Sequence, residues 1–446
     1  MRRGDAAERI DSQYQELDRR RRIYYANPQY PLVSLGALST YVQYGISERA
    51  NTASLGVPMI RMNNLQAIGW DLADLKHIEL DDDVLNRYRL LKGDLLFNRT
   101  NSKELVGKCE AFDEQGDWVF ASYLIRVRLD TYRALPGFVS AFLNSPAGRI
   151  QIDQVSRQVA GMSNVNAEEL RDLQIPLPSL EAQKRLLAEL DAARAERDRA
   201  LTEADRLLNS IDELVKRELG LPEVLLPSRG GYAIRLGEVK STSTISADYF
   251  HPERMGALKA IQALPNARLA GLVSFQRESG QRSDDARFIG LASVAGNSGQ
   301  LTDAVETASG QCFAFEKSDV LYGRLRPYLN KVWLSTFSGV CSTEFHVMRV
   351  LNPAALLPAY LAVVMRTQLI VAQTKHMMTG NTHPRLANED VTNLLIPLAD
   401  LKRQQRIVDE TLACQTEAMR LRAHAETIWQ QARERFEQQL LKGGNG

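Results

Sequence analysis

The chain has 446 residues, of which 44% are apolar and 24% charged, and its formal net charge is +1. This length predicts at least two domains, and the composition argues against global disorder and against a surface coated in basic residues. Four dispersed cysteines lack the spacing of a zinc site and suit a reduced, cytoplasmic setting. No stretch has the pattern of a signal peptide or a membrane span.

The N-terminal segment offers two weak signals. The basic block Arg19–Arg22 either is a solvated helix face or contacts an anion. The stretch ANPQY, Ala26–Tyr30, faintly resembles the motif with which amino-methyltransferases hold a flipped base. No glycine-rich cofactor loop follows a strand, so we do not expect methyltransferase activity in this chain.

The stretch LKGDLLFNRTNSKELVGK, Leu91–Lys108, predicts a strand, a polar turn and a second strand. Asparagine and serine suit turns because they bond to their own backbone, but arginine and lysine add nothing to a turn. The turn is therefore either simply solvated or presented to an anionic ligand. Its six consecutive hydrogen-bonding side chains are Asn98, Arg99, Thr100, Asn101, Ser102 and Lys103.

The chain contains an internal repeat with a period of roughly 220 residues. The block LLKGDLLFNR has a counterpart in FEKSDVLYGR, in which Asp94 matches Asp319 and Arg99 matches Arg324. Further matching blocks keep the same order, so we interpret the chain as two copies of one unit. These blocks are Ala121–Leu129 with Ser342–Val350, Ala134–Ile152 with Leu356–Thr374, and Val159–Asp191 with Met378–Glu410.

Each copy ends in a long predicted helix that follows an IPLP or IPLA stretch. Apolar residues recur at three-four spacing in both helices, which indicates a coiled-coil seam. The two helices pack most simply on each other, and pairing with other chains is the alternative. The seam positions are Leu190, Arg194, Arg197, Leu201, Ala204, Leu208, Ile211 and Val215 in the first helix, and Ile407, Cys414, Ala418, Leu421, Ala425, Ile428 and Ala432 in the second.

These patterns predict an α+β fold with two similar mixed α/β domains, separated by two long antiparallel helices with pseudo-twofold symmetry. The predicted boundaries are 1–178 for the first domain, 179–220 for the first helix, 221–395 for the second domain and 396–442 for the second helix. No catalytic constellation or metal-ligand spacing is convincing, so the sequence predicts a binding protein.

The repeated blocks and the helices that follow them resemble the specificity subunit of type I restriction–modification systems. The resemblance covers nearly the whole chain, and it is carried by GDLLFNRTNSKELVGK, SDVLYGRLRPYLNKV, IPLPSLEAQKRLLAELD and IPLADLKRQQRIVDE. It implies that each mixed domain is a target recognition domain for one half of a split site in double-stranded DNA. The two helices would act as a ruler between these domains.

The resemblance also implies partners and cofactors. The subunit would have no catalysis and no cofactor of its own, and would assemble with two methylation subunits and with restriction subunits. S-adenosylmethionine, ATP and magnesium would bind to those partners. A coiled-coil scaffold whose mixed domains bind protein is the alternative function.

The candidate DNA contacts lie in four polar turns, two in each copy. Arginine can bond to guanine or phosphate, and asparagine can bond to adenine. Arg99 and Arg324 could instead close a structural salt bridge in each copy, so both interpretations stay open. Besides the six residues of the first turn, the candidates are Ser163, Asn164, Arg324, Arg326, Asn330, Lys331, Asn381 and Thr382.

Overall fold

The structure is a computed structural model that describes residues 12–26, 28–66, 69–103, 105–159, 162–222, 234, 247–279, 287–304, 306–307, 310–377 and 384–441. Its contacts divide the chain into two units. The first unit combines Met1–Arg199 with His424–Gly446, and the second unit is Ala200–Ala423. Each unit therefore holds one copy of the repeat and part of each long helix.

A four-stranded antiparallel sheet lies at the centre of each unit, with the strands in the same order. The second strand in this order, Leu124–Leu129 or Phe345–Val350, is almost wholly buried because it lies inside the sheet and is rich in β-branched and apolar residues. From edge to edge, the strands are Ser39–Tyr44, Leu124–Leu129, Leu95–Asn98 and Cys109–Ala111 in the first unit, and Val273–Gln276, Phe345–Val350, Val320–Gly323 and Val332–Leu334 in the second.

Smaller sheets surround the central one, and they are only partly repeated. Both units have a short antiparallel pair and a parallel pair with a third strand, but the third strand joins on different sides. The strands are Leu32–Ser34 with Gln174–Pro176; Lys76–Ile78, Val57–Ile60 and Val119–Phe120; Arg157–Val159, Met162–Asn164 and Thr100–Asn101; Asn266–Arg268 with Leu395–Pro397; and Phe288–Ile289, Gly339–Ser342 and Cys312–Phe315.

Short helices cover the sheets, and several start at proline, whose fixed φ suits the first helical position. The described α-helices of the first unit are Ser12–Tyr24, Leu35–Leu38, Asp82–Tyr88, Pro136–Leu143, Pro146–Val155 and Ala167–Arg171, and those of the second are Pro252–Gln262, Pro358–Met365, Gln368–Lys375 and Asn388–Thr392. Single 3-10 turns lie at Met62–Asn64, Leu269–Gly271 and Pro327–Leu329.

The two long helices are Leu180–Leu219 and Leu401–Leu441. Inside the first unit their ends run antiparallel, because Glu189 bonds to Gln439 at 3.3 Å whereas Glu196 lies 3.6 Å from His424. The same direction holds inside the second unit, where Asp205 pairs with Arg422 at 2.7 Å and Glu218 with Arg406 at 3.5 Å. The helices therefore pack on each other within the chain, as the simpler interpretation of the seam predicted.

The hydrophobic core of each unit includes the seam of the helices that belong to it. In the first unit, Leu190 and Phe436 join the core of Phe97 and Phe138. In the second unit, Val215 and Ile407 join the core around Tyr322. The sheet of each unit and the helical segments that belong to it thus share one buried interior.

Two buried glutamines hold the start of each long helix against its unit in the same way. The Gln183 side chain accepts a hydrogen bond from the backbone N–H of Leu135 and donates to the carbonyls of Arg133 and Pro178. Gln404 accepts from Leu357 and donates to the carbonyls of Ala355 and Ala399. Both side chains are fully buried, so each bond satisfies a backbone group that water cannot reach.

A second pair of glutamines bridges a helix to a strand in each unit. Gln151 exchanges two hydrogen bonds with the backbone of Gln174, and Gln373 does the same with Leu395. These repeated side-chain contacts, together with the repeated strand order, confirm the predicted fold class: two similar mixed α/β units and two long antiparallel helices. Among the described residues, no helix combines the length and apolar character that crossing a bilayer requires.

Candidate nucleic-acid interface

The polar turn of the first unit begins where the buried strand Leu95–Asn98 ends. The backbone of Asn98 pairs with Lys108 and Gly107 across the turn, and its side chain donates to the carbonyl of Leu105 at 3.1 Å. Asn98 is fully buried. It therefore fixes the turn from inside, and the next residue, Arg99, is the first one that can face outward.

Arg99 is held by a polar and aromatic surrounding. Its guanidinium donates to Asn164 Oδ1 at 3.1 Å and lies 4.9 Å from the ring centroid of Tyr44. The Tyr44 hydroxyl in turn accepts from the backbone N–H of Ala167 at 2.9 Å. The Arg99 Nε is buried and has no hydrogen-bond partner among the described residues. The side chain is thus oriented, and because Arg99 as a whole is only half-buried, part of it remains open to a ligand.

The structure joins two turns that the sequence presents as separate. Thr100–Asn101 forms a short strand that pairs with Met162–Asn164, with Asn101 opposite Ser163 and Thr100 opposite Asn164. Thr100, Asn101, Ser163 and Asn164, from both turns, therefore lie on one small sheet beside Arg99.

The second unit repeats the backbone around the matching arginine. Arg99 N donates to the carbonyl of Tyr123 at 3.0 Å, and Arg324 N donates to the carbonyl of Glu344 at 2.9 Å. The carbonyl of Arg99 accepts from Val165 at 2.9 Å, and that of Arg324 accepts from Leu386 at 3.1 Å. The two arginines thus occupy equivalent positions.

The equivalence identifies a residue that the sequence comparison missed. Leu325 forms a bridge with Arg385, as Thr100 does with Asn164, so Arg385 occupies the position of Asn164. The sequence repeat matches Val159–Asp191 with Met378–Glu410, which places Asn164 against His383. Arg385 forms a forked ion pair with Glu344, with a shortest distance of 2.7 Å.

The side chains around the two arginines differ in charge. In the first unit, the half-exposed Tyr123 precedes the strand at the position that Glu344 takes in the second. The strand pairings place Gln43 opposite Arg126 and Gln276 opposite Val347, so the following residues, Tyr44 and Arg277, also correspond. Two tyrosines and an amide in the first unit are therefore replaced by an acid and two arginines in the second. The exchanged sets are Tyr44, Tyr123 and Asn164, and Arg277, Glu344 and Arg385.

A small cavity of about 100 Å³ lies beside Arg324 and is also lined by Arg277, His346 and Asn388. Burial, together with the charges of Arg324 and Arg277, lowers the pKa of His346 to about 4. The imidazole is therefore neutral near pH 7, and the two guanidinium groups carry the positive charge of this surface. The first unit has Ile125 at the strand position of His346.

The alternative in which Arg99 and Arg324 close a structural salt bridge can be compared with the ion pairs of the structure. Among the described residues, neither arginine forms an ion pair. The repeated ion pair is instead Asp94 with Arg128 and Asp319 with Arg349, each joined by two bonds of 2.7 to 2.9 Å. These ion pairs explain why aspartate recurs at the matching positions of the repeat. Arg99 and Arg324 take no part in them.

Several candidate contacts are revised by their burial. Asn98, Ser163 and Asn330 are buried, so their side chains cannot meet DNA in this conformation. The Lys331 Nζ donates to the carbonyl of Leu291 at 2.6 Å, which directs it toward the unit rather than outward. We assign Asn98, Asn330 and Lys331 to holding the loops through these side-chain bonds. The Ser163 hydroxyl is buried without a hydrogen-bond partner among the described residues, and its backbone pairs with Asn101. Sequence alone cannot separate a polar side chain that builds a turn from one that meets a ligand, because both patterns contain the same residue types.

The other candidates stay on or near the surface. Thr100, Asn101, Ser102 and Lys103 are half-buried along the turn, and Asn101 Oδ1 accepts from the backbone of Ser102 at 2.8 Å. Arg326 is exposed on the loop after Arg324. Asn381 and Thr382 lie outside the described residues, and their assignment stays a prediction.

Within the described part of the chain, His251, Glu253 and His376 form a group with the side chains that bind metals. His376 Nε2 lies 2.9 Å from Glu253, but the two imidazole rings are stacked with centroids 3.7 Å apart and planes within 15°. A metal ion lies in the plane of each imidazole that binds it, and two parallel stacked rings share no such position. The Lys375 ammonium also forms an ion pair with the Glu253 carboxylate, at 3.1 Å.

Comparison with known proteins identifies a class, the specificity subunits of type I restriction enzymes. The chain is 28% identical over 158 residues to the type I restriction enzyme EcoKI specificity subunit of Escherichia coli K12, which is 35% of this chain and 34% of that protein. It is 24% identical over 147 residues to the putative type I restriction enzyme MjaX specificity subunit of Methanocaldococcus jannaschii, covering 32% of this chain and 35% of that protein. The match thus spans about a third of the length of these relatives. It confirms the resemblance found in the sequence.

The solved structures that the fold is similar to include the S subunit of a type I restriction–modification system from M. genitalium. It has 11% sequence identity and a TM-score of 0.49, and the alignment covers 94% of this chain and 98% of that one. The HsdS subunit from Thermoanaerobacter tengcongensis aligns with 15% identity and a TM-score of 0.41, covering 93% and 97%. No family model matches the chain.

Proposed function

We propose that this protein is a DNA-binding specificity subunit that reads a bipartite target, with one half-site for each unit. The observation that carries the proposal is the duplicated arginine, which is presented by the same backbone in both units and surrounded by different side chains. Two different half-sites require such an arrangement, since a shared scaffold fixes the position of the reader and the exchanged neighbours alter what it reads.

The charges around the arginines are compatible with DNA binding. A near-neutral chain can bind DNA if cationic groups are concentrated where the phosphates and base edges lie. Arg99 is oriented by an amide and an aromatic ring, whereas Arg324 lies beside the second cation Arg277. The first unit thus suits a hydrogen-bonding contact in a neutral setting, and the second presents a stronger positive field.

The partners and cofactors follow from the resemblance. We propose that two methylation subunits and the restriction subunits assemble with this chain, and that S-adenosylmethionine, ATP and magnesium bind to those partners. In this proposal the chain has no catalytic role and directs the partners to the target. The relatives that carry the specificity-subunit name support the proposal.

The direct experiment is a titration of duplex DNA with a complex of this chain and its methylation partner. The target is first determined from the methylated positions of a host genome that carries both genes. The complex should bind the specific duplex at least 1,000-fold more tightly than a random duplex, and the affinity should fall steeply with salt. Equal affinity for both duplexes, or binding of protein partners only, would favour the coiled-coil scaffold instead.

The ruler role of the helices has its own test. One heptad is inserted into each long helix at matched heights, which adds about 10 Å of helix, or about three base pairs of DNA. The methylated sites of a host with this variant should keep both half-sites and gain about three base pairs between them. An unchanged spacer in a folded, active variant would reject the ruler.

A further inference from the structure

The loop after the strand Val320–Gly323 carries an exposed apolar tip, for which the proposed role of Arg324 gives no reason. Tyr328 and Leu329 are 43% and 39% exposed, respectively. Both belong to the single 3-10 turn Pro327–Leu329, in which the proline is buried. The Tyr328 hydroxyl has no hydrogen-bond partner among the described residues. Two large apolar side chains are therefore presented to solvent on one tight turn.

The backbone on both sides of this turn is strained. Arg326 has a φ of 48° and Asn330 a φ of 50°, both in the left-handed region that residues other than glycine rarely adopt. Strain of this kind persists only where the surrounding structure enforces it, and it is concentrated at functional sites.

Hydrogen bonds to three other segments enforce this conformation. The buried Asn330 side chain donates to Asn297 Oδ1 at 2.9 Å and to the carbonyl of Arg366 at 2.6 Å. Asn297 N donates back to the carbonyl of Asn330 at 3.1 Å, and Arg326 N donates to the carbonyl of Pro384 at 2.8 Å. The tip is thus fixed at both ends before any ligand binds, which lowers the entropy lost on binding.

The surrounding charge favours a nucleic acid over a protein surface as the ligand. Arg326 is exposed beside the apolar tip, and Arg324 begins the same loop. Cations next to an exposed aromatic ring match a ligand in which phosphates and apolar base surfaces lie side by side. An apolar protein surface would leave these guanidinium groups without anions.

We propose that Tyr328 and Leu329 form a rigid wedge that makes an apolar contact with the bases of the second half-site, and that they are specificity-determining residues. The inference rests on the proposed function and extends it to residues outside the polar candidates. An apolar side chain contacts DNA bases either by insertion beside a base step or at the thymine methyl group. In the first unit the corresponding loop is two residues longer, between Asn98 and Lys108, so the wedge belongs to the second half-site.

The test uses the complex with its methylation partner and two variants, Tyr328→Ala and Leu329→Ala. Each should weaken binding to the specific duplex about 5- to 100-fold and leave binding nearly unchanged when the second half-site is scrambled. Tyr132→Ala, which removes an 89% exposed tyrosine of the first unit, is the matched control and should bind like the wild type. Tyr328→Phe keeps the apolar ring and should retain affinity.

Two substitutions in the DNA distinguish the forms of the contact. If the wedge inserts beside a base, 2-aminopurine at one position of the second half-site should brighten with the wild type and stay dim with Tyr328→Ala. If it contacts a thymine methyl, replacing that thymine by uracil should weaken binding of the wild type to the level that Tyr328→Ala shows on the thymine-containing duplex. Either result supports the wedge.

The inference fails if both alanine variants fold, by thermal melting, and match the wild type on the specific duplex. It also fails if they lose the methylation subunit during purification, because the tip would then belong to a protein contact. If the wild-type complex itself does not prefer the specific duplex, the proposed function fails, so the two failures can be told apart.

Discussion

The two units share several buried polar contacts and differ most at their outward-facing loops. The matched glutamines Gln183 and Gln404 make the same three hydrogen bonds. The matched aspartates Asp94 and Asp319 make the same forked ion pair. A buried polar group that loses its partner costs the full desolvation penalty, so such contacts tolerate little change. The surface around the arginines carries no such constraint, and there the two units differ in charge.

The largest effect should distinguish the two aspartates. In the first unit the buried Arg126 lies 3.7 Å from Asp94, whereas among the described residues the cation that pairs with Asp319 is the partly exposed Arg349. Asp94→Asn should therefore destabilise the first unit by about 3–5 kcal/mol, because a buried guanidinium loses its counterion. Asp319→Asn should cost less, about 1–3 kcal/mol.

Hydrogen exchange followed by mass spectrometry measures each unit separately through its own peptides. Faster exchange in the first unit with Asp94→Asn than in the second with Asp319→Asn is the expected result. Equal effects would show that Arg126 does not depend on Asp94.

A smaller and equal effect is expected for the glutamines. Gln183→Ala and Gln404→Ala each leave one backbone N–H and two carbonyls without their partner, and each should destabilise its own unit by about 1–3 kcal/mol. The matched control is Gln405→Ala, which lies on the exposed side of the second long helix. Urea unfolding monitored for each unit would reveal the effects. If only one unit is destabilised, the same three hydrogen bonds contribute differently to the stability of the two units.

The smallest effect concerns acid sensitivity and is confined to the second unit. The lowered pKa of His346 means that the unfolded chain binds this proton more readily than the folded unit does, so stability falls as the pH drops below about 6.5. Between pH 7 and pH 5 the loss should be about 1–2 kcal/mol.

His346→Ile, which installs the residue of the first unit, should remove this part of the pH dependence. His424→Gln, at an exposed helix position, serves as the control for a histidine that is not buried. Thermal melts of the three proteins at pH 7, 6 and 5 give the comparison. An unchanged pH slope in His346→Ile would contradict the assignment.

The sequence predicted the features that have a period or a repeat. The three-four spacing found the two long helices, and the ordered blocks found the two similar units, because buried seams and buried strands constrain residue type along the chain. The site was harder to predict. Tyr44, Arg277 and Arg385 reach the arginines from distant segments, and only the strand pairing shows that they do.

Burial was the other property that the sequence did not predict. Asn98 and Asn330 have the residue type of a base-reading side chain, but both are buried and hold their loops. The strained turn that exposes Tyr328 and Leu329 depends on left-handed residues other than glycine, and residue type alone does not predict that conformation.

The central claim is that each unit reads its own half-site through the duplicated arginine. The most direct measurement combines Arg99→Ala and Arg324→Ala with duplexes in which one half-site or the other is scrambled, and determines the affinity of the partner-containing complex for each combination. The coupling between Arg99 and one half-site should be about 1–3 kcal/mol and that with the other close to zero, and Arg324 should show the opposite pattern. Equal coupling to both half-sites, or none to either in folded variants, would contradict the account.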